Sequence, residues 1–215
     1  MDLKKYDYII WDFNGTLLDD VVTGIRSVNT LLFERGLDVI ANVEQYRSVF
    51  RFPIIEYYKA LGFDFDREPY EELAPKWVKL YLENVKTAGL YCDVKQTLDF
   101  VAEQGVKQTV LSATELSMLK GQLESLEIAH YFEEVLGLDN IHAGSKLSLA
   151  YDWRARHADA TVLFVGDTDH DVQTANAMGA DCVLVSRGHQ SWEYLHTMGV
   201  EVFETLDGVC DIIKN

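Results

Sequence analysis

Three short apolar runs along this chain each end in polar side chains. The runs are YIIW before Asp12, TVL before Ser112 and TVLFVG before Asp167. An Asp, Asn or Gly after an apolar run is ordinary turn chemistry, so any one of these endings alone would indicate only a turn. In a parallel sheet, however, the carboxyl ends of neighbouring strands meet at one edge, and ligands bind in the crevice outside that edge. Three such endings in one chain therefore predict a single polar crevice.

Strand-like and helical patterns alternate through the second part of the chain. Strands are predicted at residues 8–11, 107–111, 135–136, 162–165, 182–185 and 202–203. Helices are predicted at residues 94–104, 115–126, 147–157, 171–178, 192–197 and 206–213. Such alternation is typical of an α/β fold with a doubly wound parallel sheet.

The segment between residues 18 and 90 shows only helical periodicity. Helices are predicted at residues 21–35, 43–50, 54–61 and 70–86, and Gly or Pro residues separate them. An all-helical segment after the first strand indicates an insertion into the α/β core. We therefore predict a core of residues 1–17 and 88–215 and an α-helical cap domain of residues 18–87.

Composition limits the kinds of partner and compartment. The 215 residues are 48% hydrophobic, which is enough to bury one core and a smaller insert. The formal net charge of −16 argues against general affinity for nucleic acids or anionic membranes, but not against small phosphates. Three cysteines without a CxxC pattern, and no apolar run long enough for a signal peptide or a membrane span, indicate a cytoplasmic protein. The oligomeric state stays open.

The polar motifs resemble those of one enzyme superfamily. Residues 12–17 (DFNGTL) match the motif DxDGTL except at Asn14, and Ser112 matches a second motif, a hydroxyl residue that ends a strand. Lys146, in the sequence AGSK, best matches a third motif, and residues 166–171 (GDTDHD) match a fourth, GDxxxD, in full. Over essentially its full length the chain resembles a haloacid dehalogenase superfamily hydrolase with a helical cap, in the phosphoglycolate phosphatase-like branch.

The resemblance implies a Mg²⁺-dependent phosphatase that acts on a small phosphorylated metabolite. Asp12 would attack phosphorus and become an aspartyl-phosphate, which divides one difficult displacement into two steps. Asp12, Asp167 and the backbone carbonyl of Asn14 would hold Mg²⁺, with Asp171 binding directly or through water. A cation of this kind is needed because the substrate dianion approaches a cluster of carboxylates.

The same resemblance implies which groups stabilise the transferring phosphoryl oxygens. They are Ser112, Lys146 and the backbone amides that follow Asp12 and Ser112, the latter amide being that of Ala113. Thr16 and Ala113 are candidate substrate contacts, and for Thr16 we favour a supporting role within the loop. A solvent-exposed lysine at the start of a helix is the ordinary alternative for Lys146.

Substrate selection is expected to come from the cap. Arg47 and Arg51 are four residues apart, hence on one helix face, and could grip a substrate carboxylate or a second phosphate. The ordinary alternative is a solvated face that pairs with Glu44. His189 follows a predicted strand and faces the rim of the crevice, where it is either a ligand-binding group or an ordinary loop histidine.

Asn14 is the departure from the superfamily pattern. In the superfamily this residue protonates the departing alkoxide and later activates water, whereas an amide cannot exchange a proton at neutral pH. Such acid–base help typically contributes about 10²–10⁴ in rate. The chain could therefore be a phosphatase for substrates with good leaving groups, such as acyl or aryl phosphates, a phosphonate hydrolase, or a phosphate-binding regulatory protein with little turnover. We favour the weak or selective phosphatase, although a deliberate replacement at position 14 would leave the same sequence.

Two other branches of the superfamily fit less well. A phosphonate hydrolase would need a cap lysine that forms an imine with its substrate. The helical lysines available are Lys59, Lys76, Lys79 and Lys86. Helical lysines are usually solvated, which weakens this interpretation. The dehalogenase branch uses no metal, so the intact pair of Asp167 and Asp171 speaks against it.

Overall fold

A parallel sheet of six strands forms the centre of the computed structural model, which describes residues 5–139 and 146–214. The strands are β1 (Tyr8–Trp11), β2 (Lys107–Glu115), β3 (Glu134–Leu138), β4 (Val162–Gly166), β5 (Asp181–Val185) and β6 (Glu201–Phe203). Their order across the sheet is β3-β2-β1-β4-β5-β6, so β1 lies between β2 and β4. The predicted α/β fold with a parallel sheet is confirmed. Of the AGSK sequence, only Lys146 falls within the described residues.

Ten α-helices accompany the sheet in the described residues. They are α1 (Val21–Glu34), α2 (Val43–Val49), α3 (Ile54–Ala60), α4 (Tyr70–Asn84), α5 (Val94–Glu103), α6 (Leu116–Ser125), α7 (Leu147–Arg156), α8 (Asp169–Met178), α9 (Trp192–Leu195) and α10 (Asp207–Lys214). The predicted helix at 115–126 begins one residue later, because Glu115 ends β2 and its carboxylate accepts the backbone N–H groups of Ser117 and Met118. Within this part of the chain, none of the helices has both the length and the apolar composition needed to cross a bilayer.

The strands β1 and β4 are buried along their whole length because helices cover both faces of the sheet. Ile9 and Trp11 pack on one face, with α5, α6 and the C-terminal segment that includes α10. Tyr8 and Ile10 pack on the other face, with α7 and α8. This alternation is what a strand with helices on both sides requires.

The four helices α1–α4 have a hydrophobic cluster of their own, which includes Val28, Leu32 and Leu73. The chain enters and leaves this region side by side, since Leu18 and Leu90 form an antiparallel bridge. The division into a cap of residues 18–87 and a core stays a prediction, with this neck as its natural boundary. Below, "cap" denotes α1–α4 and the segments that join them.

A charge cluster on the cap gives a prediction about stability. Arg35, at the end of α1, donates from Nε and Nη2 to the carboxylate of Glu68 at 2.6 and 2.8 Å, and Lys76 Nζ lies 2.6 Å from Glu68 Oε1. Hydrogen bonds from Arg35 and Lys76 lower the pKa of Glu68 to about 2. We expect Glu68→Gln to lower the free energy of unfolding at pH 7 by about 1 kcal/mol, since the cluster is partly screened by solvent.

The decrease in the free energy of unfolding caused by Glu68→Gln should depend on pH in a defined direction. A carboxylate whose pKa is depressed in the folded state stabilises fully above its unfolded pKa near 4.5 and loses this effect as the pH falls toward about 2. Urea unfolding of both proteins at several pH values measures the difference. Glu83→Gln, which changes an exposed residue of α4, is the matched control. An equal loss for Glu68→Gln at pH 2 and pH 7 would contradict this assignment.

Candidate active site

Asp12 stands at the end of β1, in the middle of the sheet. Its backbone N–H donates to Val165 O at 2.8 Å, which extends the β1–β4 ladder by one residue, and only 3% of the residue is exposed. The chain then turns at Gly15, where φ is +76° and a Cβ atom would lie 2.4 Å from Asp167 Oδ2. Glycine is therefore required there by both the backbone conformation and the closeness of the second acid.

Three buried carboxylates form one cluster beyond the ends of β1 and β4. Asp12, Asp167 and Asp171 each offer an oxygen atom, and these atoms lie within 4.8 Å of one another. Thr16 Oγ1 lies 3.2 Å from both Asp12 Oδ2 and Asp167 Oδ1, so this buried hydroxyl braces the cluster. A compact set of oxygen donors is what Mg²⁺ prefers in proteins.

Asp171 owes its position to the start of α8. Its Oδ2 accepts the N–H groups of Asp167 and Thr168 at 3.1 and 3.0 Å and the Thr168 hydroxyl at 2.7 Å. Thr168 precedes the first turn of α8, which begins at Asp169 and not at Asp171 as predicted. Oδ2 of Asp171 therefore holds the loop, while Oδ1 is directed toward the acid cluster.

Lys146 supplies the positive charge of this cluster. It lies directly before α7, is only 5% exposed, and its Nζ contacts Asp12 Oδ1 and lies 2.8 Å from Asp171 Oδ1. Burial alone would lower the pKa of Lys146, but Asp12 and Asp171 outweigh burial and raise it above the usual value. The reading of Lys146 as a solvent-exposed lysine is wrong, because the acids draw its side chain into the sheet edge.

The surroundings shift the pKa values of the three acids in different directions. Burial raises the pKa of Asp12 well above its ordinary value, and Asp171 and Asp167 raise it further. Burial, followed by the charge of Asp171, raises the pKa of Asp167 to about 6. Burial also acts on Asp171, but Lys146 and the Thr168 hydrogen bond outweigh it and leave the pKa below the ordinary value. One ammonium group thus faces three buried carboxylates, so the residues present fit a further cation.

Asn14 uses every polar atom of its amide. Its Nδ2 donates to Asp20 Oδ2 at 2.9 Å and to the Tyr81 hydroxyl at 2.8 Å. Its Oδ1 lies 2.8 Å from the Thr114 hydroxyl and 3.3 Å from the Ser112 hydroxyl. A carboxylate in this place would bring one of its oxygens close to the Asp20 carboxylate. The surroundings of residue 14 therefore match an amide better than an ionised acid.

Asp20 links Asn14 to His189, whose side chain is 12% exposed, and to the cap. It accepts the Gly15 N–H at 2.9 Å and the Tyr81 hydroxyl at 2.6 Å, and its Oδ1 lies 3.4 Å from His189 Nε2. Burial would lower the pKa of His189, but Asp20 outweighs it and raises this pKa to about 9. Conversely, burial would raise the pKa of Asp20, but His189 and the hydrogen bond from Tyr81 lower it. With these pKa values Asp20 and His189 form a largely buried ion pair at neutral pH.

His189 also contacts the acid cluster and the cap. Its backbone N–H donates to Asp167 Oδ2 at 2.6 Å, and its Nδ1 lies 2.8 Å from the Tyr46 hydroxyl. From the sequence, His189 was either a ligand-binding group or an ordinary loop histidine. The structure instead places His189 between Asp167 and α2, at the junction of core and cap.

Arg47, on α2, and Arg51, just after this helix, have partners other than the predicted ones. Arg47 donates to the backbone carbonyls of Gly188, at 2.8 Å, and Arg187. Arg51 donates to backbone carbonyls near the end of its own helix, and its guanidinium lies 3.9 Å from the centre of the Tyr194 ring. The hydrogen bonds of Arg47 and the ring contact of Arg51 join the cap to the core, whereas the hydrogen bonds of Arg51 stay within the cap. A role of either guanidinium in substrate binding stays a prediction.

Three residues of this site were not identified from the sequence. Its place in the sequence predicts that Asp20 caps the start of α1, but its side chain makes no capping hydrogen bond and accepts one from the Gly15 N–H instead. Tyr81 reads as part of the apolar stripe of α4. Thr114 could have been found, because it stands two residues after Ser112 on a strand and side chains alternate along a strand. Ala113, between the two hydroxyl residues, is exposed.

Known proteins share both sequence and fold with this chain. A phosphoglycolate phosphatase of Pseudomonas syringae pv. tomato is 27% identical over 190 residues, which cover 84% of this chain and 70% of the relative. A haloacid dehalogenase-like family hydrolase of Streptococcus pneumoniae superposes with a TM-score of 0.79 at 19% identity, covering 97% of this chain and 99% of the other. Protein Tyrosine Kinase A of Mycobacterium tuberculosis superposes with a TM-score of 0.81 at 22% identity, covering 98% and 99%.

The two structural likenesses show the fold alone, and they include a protein described as a kinase, so the fold does not decide the reaction. The family is shown by the sequence, since the family model described as Haloacid dehalogenase-like hydrolase matches residues 9–185. That match runs from β1 to β5 and includes the four acidic and basic residues of the buried cluster. This chain therefore belongs to the haloacid dehalogenase-like hydrolase family.

Proposed function

We propose that this protein is a Mg²⁺-dependent phosphatase that hydrolyses a small phosphorylated metabolite through an aspartyl-phosphate on Asp12. The observation that carries the proposal is the buried cluster of Asp12, Asp167 and Asp171 with Lys146 in contact with two of them. Relatives named phosphoglycolate phosphatase support a phosphate ester as the substrate. The excess of buried negative charge supports the cation.

Each residue of the cluster has a task in this mechanism. Asp12, Asp167 and Asp171 would hold Mg²⁺, which would neutralise charge on the phosphoryl oxygens when bound. A carboxylate oxygen of Asp12 attacks phosphorus as the ester P–O bond breaks and the leaving group departs with the electron pair. Water then attacks phosphorus as the P–O bond to Asp12 breaks, which restores the carboxylate. The phosphate leaves with the protons of the water and passes one of them to the departed leaving-group anion in solution. Lys146 and Ser112 stabilise charge on the phosphoryl group in both steps.

Asn14 limits the choice of substrate. Its amide carries no proton that it can transfer, and Asp20, Tyr81 and Thr114 already occupy its polar atoms. The leaving group must therefore depart without a proton from residue 14. This condition favours esters whose leaving groups are stable as anions.

The phosphonate hydrolase alternative gains no support from the cap. It requires a lysine at the reaction centre, and the candidate lysines Lys59, Lys76, Lys79 and Lys86 are all exposed. Lys59 pairs with Glu56 at 2.8 Å, and Lys76 pairs with Glu68 at 2.6 Å. We therefore propose phosphate ester hydrolysis in preference to carbon–phosphorus cleavage.

The proposals on partners and compartment rest mainly on composition. The net charge of −16 supports a protein that binds neither nucleic acid nor membrane surfaces. Cys92, Cys182 and Cys210 are free thiols, which supports a reducing, cytoplasmic location.

Removal of the nucleophile or of a metal ligand tests the mechanism. We expect Asp12→Asn to lower phosphate release by at least about 10³-fold, as loss of a nucleophile does in other covalent catalysts. Asp167→Asn should abolish Mg²⁺ binding measured by isothermal titration calorimetry, and EDTA should stop turnover until Mg²⁺ is added. Asp38→Asn, an exposed acid of the cap, should behave like the parent protein. Undiminished release by Asp12→Asn would refute the mechanism.

A panel of aryl phosphates tests the role of the leaving group. Because no acid at position 14 assists departure, kcat/KM should rise steeply as the phenol becomes more acidic. Steady-state phosphate release across the panel measures this slope, and a flat dependence would contradict it. Mg²⁺-dependent binding of beryllofluoride without hydrolysis of any ester would instead favour the phosphate-binding regulatory protein.

An acid at position 14 should restore assistance to poor leaving groups. We expect Asn14→Asp to accelerate alkyl phosphate hydrolysis by at least about tenfold, a modest part of the usual effect of acid catalysis. The same change should lower the free energy of unfolding, because the new carboxyl group meets Asp20 at the distance of a hydrogen bond. Asn14→Ala controls for the loss of the amide and should bring no acceleration. If Asn14→Asp and Asn14→Ala act alike on alkyl phosphates, residue 14 does not limit leaving-group departure.

A further inference from the structure

We propose that the crevice between cap and core selects phosphate esters whose leaving group is an uncharged aromatic ring, and disfavours esters that carry a second anionic group. The proposal rests on the phosphatase function proposed above and names its substrate class. It draws on three features of the site: the aromatic surface of the cap, the engagement of the surrounding cations, and the amide at residue 14.

The part of the cap that meets the acid cluster is aromatic. The ring of Phe50 stacks on His189 with centroids 5.2 Å apart and an interplanar angle of 30°. The ring of Phe52 stacks on His170 at 4.8 Å and 26°. His189 binds Asp167 through its backbone, and His170 immediately precedes Asp171 in the sequence. Two phenyl rings of the cap therefore cover the rim of the cluster on the side of Asp167 and Asp171.

The described cations around the crevice already have anionic or carbonyl partners. Lys146 contacts Asp12 and Asp171, and His189 faces Asp20. Arg47 donates to the backbone carbonyls of Gly188 and Arg187. Arg51 donates to carbonyls at the end of α2 and lies over the Tyr194 ring. Arg187 donates to Asp93 and to the Thr16 carbonyl. A carboxylate on the substrate would compete with these partners, and Arg187 Nε, which makes no hydrogen bond, is buried.

A second anionic group would also meet unfavourable charge. Asp20 is a buried carboxylate that accepts hydrogen bonds from Asn14, Gly15 and Tyr81. The three carboxylates of the acid cluster add further like charge in the same site. A desolvated anion without a cationic partner, close to like charges, is costly. Leaving groups with a carboxylate are therefore disfavoured relative to neutral ones of the same shape.

The stability of the leaving-group anion and the aromatic surface of the cap both favour aryl phosphates. Without a proton from residue 14, the leaving group must be stable as an anion, and phenolates meet this condition far better than alkoxides. Asp12 is only 3% exposed, so the cap must move for a substrate to enter. That movement would part Phe50 and Phe52 from their histidines. A planar leaving group can then replace one ring of a stack, so the aromatic contact is kept.

Charge selection is tested with aryl phosphates of graded acidity. Neutral members of the series define a line of log kcat/KM against the acidity of the phenol. Members that carry a carboxylate should fall about tenfold or more below this line at equal acidity, as expected for an unpaired charge near like charges. Phosphoglycolate should likewise be a poorer substrate than its neutral amide. Carboxylated esters on or above the line, or phosphoglycolate faster than every neutral ester, would overturn the proposal.

The aromatic contact is tested with Phe50→Leu and Phe52→Leu. Either change should lower kcat/KM for phenyl phosphate about three- to tenfold relative to acetyl phosphate, which has a good leaving group but no ring. Phe33→Leu is the matched control, because Phe33 is a cap residue on α1 that is 79% exposed, and it should leave both substrates unaffected. An unchanged ratio of the two substrates in both Phe50→Leu and Phe52→Leu would overturn the proposal.

The two proposals fail in different ways. Release of phosphate from acetyl phosphate and alkyl esters, with no advantage for neutral aryl esters, overturns the substrate class and leaves the phosphatase function intact. No release from any of these compounds in the presence of Mg²⁺ overturns the phosphatase function, and the substrate class with it.

Discussion

The contact between Lys146 and the carboxylates of Asp12 and Asp171 is the interaction on which the rest of the site depends. Buried carboxylates are tolerated only where cations and hydrogen bonds compensate them. Here one ammonium group compensates part of the charge, and backbone N–H groups of the β4–α8 turn compensate another part. The remaining negative charge creates a place for a cation. The loop packs so closely on Asp167 that Gly15, with its positive φ, admits no larger residue.

The order of the strands brings these groups together. Because β1 lies between β2 and β4, the residues that follow these three strands share one edge of the sheet. Ser112 on β2, Asp12 after β1 and Asp167 after β4 therefore face one crevice although they are far apart in sequence. The helices on the two faces bury β1 and β4 and hold these positions rigidly, which is what a site that stabilises a developing charge requires.

A second network joins this centre to the cap. Asn14, Asp20 and Tyr81 are linked by hydrogen bonds of 2.6–2.9 Å, and His189 connects Asp20 to Tyr46. The amide at position 14 donates one hydrogen bond to Asp20 and one to Tyr81, which an ionised carboxylate could not do. Asn14 departs from the superfamily pattern, and both polar atoms of its side chain are hydrogen-bonded here. On the cap side of this network lie the rings of Phe50 and Phe52, and the nearby guanidinium groups of Arg47 and Arg51 already have partners.

The sequence by itself determined the fold class and the position of nearly every helix and strand to within one or two residues. Periodicity of apolar residues reports which side of a helix or strand is buried, and this is local information. The acids at the ends of β1 and β4 were identified for the same reason, since a change from apolar to acidic residues is visible along the chain. The extension of β2 to Glu115 was not predicted, because hydroxyl and small residues continue the strand there without an apolar signal.

Only the tertiary structure decided the partners of the long side chains. Sequence pattern allowed Lys146 to be exposed, Arg47 and Arg51 to pair along α2, and Asp20 and Tyr81 to serve as an ordinary helix cap and core residue. Their actual partners lie far away in sequence: Asn14 and Tyr81 are 67 positions apart, and Lys146 and Asp12 are 134. Such contacts depend on how the cap settles on the sheet edge, and the balance between burial and charge that selects them exists only after the chain has folded.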